Sequence, residues 1–88
     1  MKTEIIKLSY NRYKGSGKCW IAQVDERTKK IQGFINAESV QKRDSYSGQK
    51  TFEVPLTEGA CYLFCESGTK SSDSRHYKKV ENGKLIDF

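Results

Sequence analysis

The sequence predicts a single all-β domain of six or seven short antiparallel strands. Apolar residues recur at every second position along most of the chain, which is the period of a half-buried strand, whereas the spacing of an amphipathic helix is scarce. Clusters of turn-forming residues interrupt this alternation every ~8–12 residues, as in small barrels and sandwiches. The 88 residues leave room for one hydrophobic core. We therefore expect one compact β domain over 1–88, folded as a barrel or sandwich that is OB-like or SH3-like.

The first half of the chain is predicted to contain three strands joined by short turns. The segments at 3–12, 19–26 and 31–36 alternate apolar and polar residues, with KGSGK between the first two and RTKK between the second and third. The apolar residues that define the first two strands are Ile6, Leu8, Tyr10, Trp20, Ala22 and Val24. Because the connections are short, we expect these strands to form a meander of neighbouring hairpins.

The segment AESVQKRD at 37–44 is compatible with two structures. Asn36 is a good N-cap, Glu38 lies where the first helical turn would be, and Lys42 follows near the end, which suits a helix dipole. The segment holds little apolar surface to anchor a helix, so continuing strand or loop fits as well. A short helix near 37–43 would give the element order of an OB-type barrel, a fold that binds oligonucleotides and oligosaccharides across its sheet.

The second half is predicted to contain a strand ending at a proline, a central strand and a terminal hairpin. KTFEVPL at 50–56 alternates, and Pro55 lacks the amide hydrogen that a central strand needs, so this strand lies at an edge or ends there. ACYLFCE at 60–66 is the most apolar run and is expected at the centre of a sheet, buried on both faces. HYKKVE and KLIDF flank Asn82-Gly83, a pair typical of a type I′ hairpin turn.

The three cysteines are predicted to be ordinary reduced thiols in or near the core. An odd number of cysteines without a secretion signal favours the cytoplasm. Cys61 and Cys65 lack the usual spacing of zinc ligands and His76 is the lone histidine, so we expect no metal site and no cofactor. No apolar run approaches the ~20 residues of a membrane span, and we expect no membrane contact.

The net charge of +5 is concentrated in two segments. Residues 2–18 carry five cations against Glu4, a net of +4, and residues 70–79 carry four cations against Asp73, a net of +3. If the fold brings these segments together, they form one positive face that attracts phosphates or an acidic protein.

Two stretches contain the residue types of catalytic or nucleotide-binding motifs without their spacing. GSGK at 15–18 lacks the four-residue gap between glycines of a P-loop, and Cys19 stands where that motif needs a hydroxyl. SSDSRHY contains serine, aspartate and His76, but neighbours on one loop rarely reach the geometry of a nucleophile, base and orienting acid. We therefore expect a non-enzymatic protein.

Aromatic residues interleaved with cations are the strongest functional signal in the sequence. Proteins hold single-stranded nucleic acid in this way, with rings stacked on bases and Lys or Arg against phosphates. The predicted binding residues are Arg12, Tyr13, Lys14, Lys18, Lys70, Arg75, Tyr77, Lys78 and Lys79. The other large rings are expected in the core, namely Tyr10, Trp20, Phe34, Phe52 and Phe64.

The alternative hypothesis is a protein–protein interaction module, such as a small accessory or inhibitory protein that docks on an acidic or strand-edge surface of a partner. An exposed strand edge or apolar patch would carry that function. The carboxyl-terminal hairpin, with Leu85, Ile86 and Phe88, is the predicted place for it.

Overall fold

The computed structural model describes residues 2–36, 47–67 and 73–88, and these residues form seven β-strands and no helix. The strands are β1 (Thr3–Asn11), β2 (Trp20–Val24), β3 (Ile31–Ile35), β4 (Ser47–Pro55), β5 (Cys61–Glu66), β6 (Ser74–Glu81) and β7 (Lys84–Asp87). The all-β class and the strand number predicted from the sequence are confirmed. The segment at 37–43, compatible with a short helix, lies outside the described residues.

The strands form two antiparallel sheets. The small sheet pairs β1 with β4, and the main sheet has the order β3-β2-β5-β6-β7. In the part of the chain that the structure describes, no strand pairing joins the two sheets into a closed barrel. The architecture is therefore that of two packed sheets.

The prediction that the first three strands form a meander is wrong for β1. Strand β1 pairs with β4, with Ile6 opposite Phe52 and Thr3 opposite Pro55, whereas β2 and β3 form the expected hairpin. The connection at 12–19 is therefore a crossing between two sheets and not a hairpin turn. Alternation places Ile6, Leu8 and Tyr10 on one face of β1, and pairing with β4 lets that face pack on the main sheet.

The core lies between the small sheet and one face of the main sheet, which we call the inner face. From the small sheet, Leu8, Tyr10, Phe52 and Val54 point into it, and from the main sheet, Ile21, Tyr62, Phe64 and Val80. Strand β5 is buried from Cys61 to Cys65 and lies at the centre of the main sheet, as predicted. Strand β4 ends at Pro55, also as predicted.

The far end of β1 is tied to the end of β5 by polar contacts. The Ser9 amide donates to the Glu66 carboxylate at 2.9 Å, and the Ser67 amide donates to the Ser9 carbonyl at 3.1 Å. The Ser67 hydroxyl in turn accepts from the Asn11 amide at 3.0 Å. These bonds satisfy backbone groups of β1 that no strand pairs with, and they fix how the small sheet sits on the main sheet.

The terminal hairpin has the turn that its sequence predicts. Asn82 and Gly83 both have positive φ, at 55° and 74°, as a type I′ turn requires. The Glu58 carboxylate accepts hydrogen bonds from both of their amides, at 3.0 and 3.4 Å. This contact joins the β4–β5 connection to the hairpin turn.

The loop at 12–18 depends on Gly17. Its φ is +70°, and a Cβ atom there would lie 2.9 Å from the Arg12 Cα atom, closer than real side chains approach. We expect Gly17→Ala to destabilise the domain by more than the ~1–2 kcal/mol that a left-handed backbone costs an alanine, because the Arg12 backbone must also move. Denaturant unfolding of the variant measures this loss.

Gly59→Ala is the matched control for this prediction. Gly59 has a φ of +85° but nothing within 4 Å of the added Cβ, so it reports the backbone cost alone. Equal losses of stability in the two variants would show that the close approach of Arg12 contributes nothing.

Candidate nucleic-acid interface

The face of the main sheet opposite the core, which we call the outer face, carries aromatic and basic side chains. Among residues 2–36, 47–67 and 73–88, no strand packs on this face. Alternation and register place side chains of all five strands on it, namely Ile31, Phe34, Trp20, Ala22, Val24, Cys61, Leu63, Cys65, Arg75, Tyr77, Lys79 and Ile86. Ala22, Val24, Cys61 and Leu63 form a small apolar cluster at its centre, with larger rings packed around them.

One group on the outer face consists of Trp20, Phe34 and Arg75. The Trp20 and Phe34 rings meet edge to face with their centroids 5.8 Å apart. The Arg75 guanidinium lies over the Trp20 ring, 5.6 Å from its centroid. The three residues come from β2, β3 and β6, so the sheet itself holds them in place. We call this group the tryptophan platform.

The prediction that Phe34 belongs to the core is wrong, since 63 % of its surface is exposed. Phe34 lies on β3, at the edge of the main sheet, and its neighbour Ile35 takes the position that packs on the core. Trp20 is half-buried on the outer face, whereas Tyr10, Phe52 and Phe64 are buried as predicted. The small sheet covers the inner face only, which leaves Phe34 open to solvent.

A second group on the outer face consists of Tyr77, Phe88 and Lys29. The Tyr77 and Phe88 rings meet edge to face at 5.9 Å. The Lys29 ammonium lies 4.7 Å from the Tyr77 centroid and 5.2 Å from that of Phe88. Lys29 belongs to the turn between β2 and β3, so this turn reaches across the outer face to β6. We call Tyr77 and Phe88 the tyrosine platform.

Lys78 and Lys79, both predicted to bind nucleic acid, lie on opposite faces of the main sheet. Lys79 is on the outer face and forms an ion pair with Glu26, with 2.7 Å between Nζ and Oε2. Lys78 is on the inner side of β6 and pairs with Asp87 on β7 at 2.8 Å. Because successive residues of a strand alternate, one extended ligand on either face contacts only one of them.

The loop at 12–18 brings the other predicted basic segment beside the tryptophan platform. The Ser16 amide donates to Asp73 Oδ1 at 2.9 Å, and Asp73 lies two residues before Arg75. Inside the loop, the Tyr13 amide donates to the Asn11 side chain and the Gly17 amide to the Lys14 carbonyl. The loop side chains Arg12, Tyr13, Lys14 and Lys18 are exposed, while Lys70 lies outside the described residues.

Asp73 is the group that holds the two basic segments together. The hydrogen bond from the Ser16 amide, aided by the nearby Arg75 charge, keeps the pKa of the Asp73 carboxyl below its usual range. Asp73 Oδ2 also accepts from the Cys65 thiol at 3.7 Å. Burial, together with the Asp73 charge, raises the pKa of Cys65, so this thiol stays protonated at neutral pH.

In the triad-like stretch SSDSRHY, Asp73 does not share its contacts with Ser74 and His76. Asp73 contacts Ser16 and Cys65, whereas the Ser74 hydroxyl and His76 Nε2 lie 2.9 Å apart at the start of β6. The three cysteines are free and buried, as predicted. Among the described residues, no three His, Cys, Asp or Glu side chains are grouped as metal ligands.

No protein-family model, curated protein or solved structure matches the chain. No helix in the described part of the chain is long and apolar enough to cross a membrane. Functional inference therefore rests on the geometry of the outer face and its adjoining loop.

Sequence reasoning did not identify Trp20, Phe34, Lys29 and Phe88 as members of this surface. The signal that could have found Trp20 is its position beside Ala22 and Val24, on the alternate positions of a strand next to ACYLFCE, which is apolar on both faces. Such a run leaves one apolar face to spare when a chain this small has only one main core. Lys29 and Phe88 reach the surface through tertiary folding alone.

The Asp73 tether is expected to follow the protonation of its carboxyl. A folded-state pKa below the ordinary value of 3.8 means that the tether stabilises the loop above that pH and is lost as pH falls through the lowered pKa. The Ser16 amide resonance, followed by NMR during an acid titration, should therefore change with a midpoint below 3.8. A midpoint at or above that value would contradict the tether.

A matched pair of variants tests the same contact at neutral pH. Asp73→Ala should speed hydrogen exchange of the Ser16 amide, which loses its acceptor. Asp25→Ala is the control, because the Asp25 side chain accepts from the amides of Arg27 and Thr28 in the next turn. The control should speed exchange at those two amides and leave Ser16 unchanged.

Proposed function

We propose that this protein binds single-stranded nucleic acid on the outer face of its main sheet. The observation that carries the proposal is the tryptophan platform, two aromatic rings on an open sheet face with a guanidinium over one of them. The protein acts in this proposal as a non-enzymatic binding domain of the cytoplasm that needs no cofactor. Binding across a sheet is the mode of OB-type barrels, and an OB-like interpretation of the fold belongs to the same proposal.

The exposed ring of Phe34 supports base stacking as the main source of affinity. A phenylalanine that is 63 % exposed leaves apolar surface in water, and a stacked base would cover it. Stacking on an aromatic side chain contributes ~1–3 kcal/mol per base and tolerates any sequence, since every base has a π face. Trp20 offers a second ring beside it, held by Arg75.

The cations around the platform supply the contacts to phosphate. Among the described residues, the elements that meet at this end of the sheet carry four cations, namely Arg75 and the loop residues Arg12, Lys14 and Lys18, against two anions, Glu66 and Asp73. Asp73 is engaged by the Ser16 amide, which places the loop beside β6. A positive surface of this kind draws in polyanions and makes their binding dependent on salt.

The geometry favours a single strand over a duplex. The rings are carried on a sheet face and can stack only on bases that are themselves uncovered. In a duplex each base is already stacked and paired, so the platform would be left with the phosphates alone. We therefore expect single-stranded oligonucleotides to bind more tightly than duplexes of the same length.

The second candidate function is docking on an acidic protein, and the exposed edge of the main sheet favours it. Ile31 and Phe34 lie exposed on the edge strand β3. The carboxyl-terminal hairpin, the predicted docking place, offers less exposed apolar surface than this edge. Leu85 packs on the core and Phe88 on Tyr77, so that of its three predicted apolar residues only Ile86 is exposed. If the unaltered protein binds no oligonucleotide even at low salt, that result would favour docking on an acidic protein.

Phe34→Ala is expected to weaken binding of a single-stranded oligonucleotide by roughly 5- to 150-fold, the equivalent of one lost stacking contact. The Phe34 side chain is mostly exposed, so the fold should be retained. Fluorescence anisotropy with a labelled oligonucleotide measures the affinity. Ile5→Ala is the control, since Ile5 is 53 % exposed on the small sheet, and equal weakening in both variants would refute the platform.

Arg75→Gln is expected to reduce the dependence of binding on salt. Each phosphate contact on a single strand contributes a slope of ~0.7 in a plot of log affinity against log salt, so the variant should lose about that much. Lys7→Gln removes an exposed cation from β1, which lies in the small sheet, and serves as the control. The same change of slope in the control would show a general charge effect and no site at Arg75.

A further inference from the structure

The tyrosine platform lies on the same face as the tryptophan platform. Tyr77 is two strands and two residues away from Trp20 in the register of the main sheet. At strand spacings of about 4.8 Å and about 3.3 Å per residue, this separation is roughly 12 Å. One extended nucleic-acid strand can therefore reach both platforms.

The turn between β2 and β3 covers the tyrosine platform. The Lys29 ammonium lies against the Tyr77 and Phe88 rings, and the Glu26 carboxylate lies 2.7 Å from the Lys79 ammonium. The turn is an ordered structure, because the Asp25 amide donates to the Lys30 carbonyl and the Lys29 amide to the Asp25 carbonyl. The turn thus places one cation, Lys29, on the rings of the tyrosine platform and one anion, Glu26, on Lys79.

The Glu26 carboxylate occupies the place that a phosphate would take. It presents anionic oxygen to Lys79 at hydrogen-bonding distance, as a phosphate does. The Glu26 side chain is 54 % exposed and the Lys79 side chain 24 %, so the carboxylate can leave to solvent while Lys79 needs an anionic partner, which a phosphate supplies. At the tryptophan platform, Arg75 stacks on a ring and remains exposed, and the nearby Asp73 carboxylate is engaged by the Ser16 amide.

The backbone of the turn is also strained at Lys29. Its φ is +61°, in the left-handed region that residues other than glycine rarely adopt. The hydrogen bonds within the turn, from the Lys29 amide to the Asp25 carbonyl and from the Asp25 amide to the Lys30 carbonyl, hold this conformation. The turn therefore keeps its shape whether or not the Lys29 ammonium lies on the rings.

We infer that Tyr77, Phe88 and Lys79 form a second subsite for the same nucleic-acid strand, which the Glu26-bearing turn occupies in the free protein. The inference rests on the proposed function, because the ligand is the strand bound at the tryptophan platform. Binding proceeds by exchange: a phosphate replaces Glu26 at Lys79, and a base stacks where Lys29 lies. Glu26 thereby lowers the affinity of the whole face.

Removal of the Glu26 charge tests this subsite. Glu26→Gln should bind a labelled single-stranded oligonucleotide several-fold more tightly than the unaltered protein, with a salt slope steeper by ~0.7, the share of one further phosphate contact. In the double variant Glu26→Gln with Lys79→Met, both gains should disappear. Thermal unfolding of each variant verifies that the fold is retained.

Asp87→Asn is the matched control. It frees Lys78, the neighbour of Lys79 on the same strand, from an ion pair of nearly the same length on the opposite face. It changes the net charge by the same amount as Glu26→Gln, but because Lys78 lies on the opposite face, affinity and slope should stay unchanged. An equal gain in this control, or a gain by Glu26→Gln that persists without Lys79, would overturn the subsite.

The failure of this inference is distinct from failure of the proposed function. If the unaltered protein binds the oligonucleotide but Glu26→Gln binds it no more tightly, the second subsite is refuted and the tryptophan platform stands. If the unaltered protein binds no oligonucleotide even at low salt, the proposed function is refuted and the subsite with it.

Discussion

The contact between the small sheet and the inner face of the main sheet is the interaction on which the rest of this structure depends. Phe52, Val54, Ile21 and Val80 are almost completely buried in it. A two-stranded sheet covers one face of a five-stranded one and leaves the other face free of strands in the described part of the chain. Since β5 is apolar on both faces and β2 carries Trp20, Ala22 and Val24 on the uncovered one, the fold that buries one face also presents the rings of the other.

Polar contacts at the ends of the strands fix the position of β1 and of the loop at 12–18 relative to the main sheet. Ser67 and Glu66 fasten the end of β1, and the loop that follows is fastened through Ser16 to Asp73. Cations that are ~60 residues apart in the sequence thus meet at one end of the main sheet. The same sheet separates Lys78 from Lys79, so two adjacent cations of the sequence lie on opposite surfaces.

The two aromatic platforms show how much of the candidate site sequence could predict. Tyr77, Arg75 and Lys79 were predicted from the mixture of rings and cations on one segment, and they do lie on the outer face. Trp20 and Phe34 were assigned to the core because a small chain needs large rings there. That argument holds for a residue type on average and does not indicate which face of a strand is covered. Lys29 and Phe88 join the surface through contacts that no local pattern encodes.

The sequence by itself determined the local structure: the strand class and strand number, the central place of β5, the end of β4 at Pro55 and the Asn82-Gly83 turn. Each follows from backbone preference or from the two-residue period of strands, which act over a few neighbouring residues. Only the tertiary structure decided that β1 pairs with β4, which face of the main sheet is covered, and which carboxylates form ion pairs with Lys78 and Lys79. Those outcomes depend on which apolar faces bury each other, and that choice is made between segments far apart in the chain.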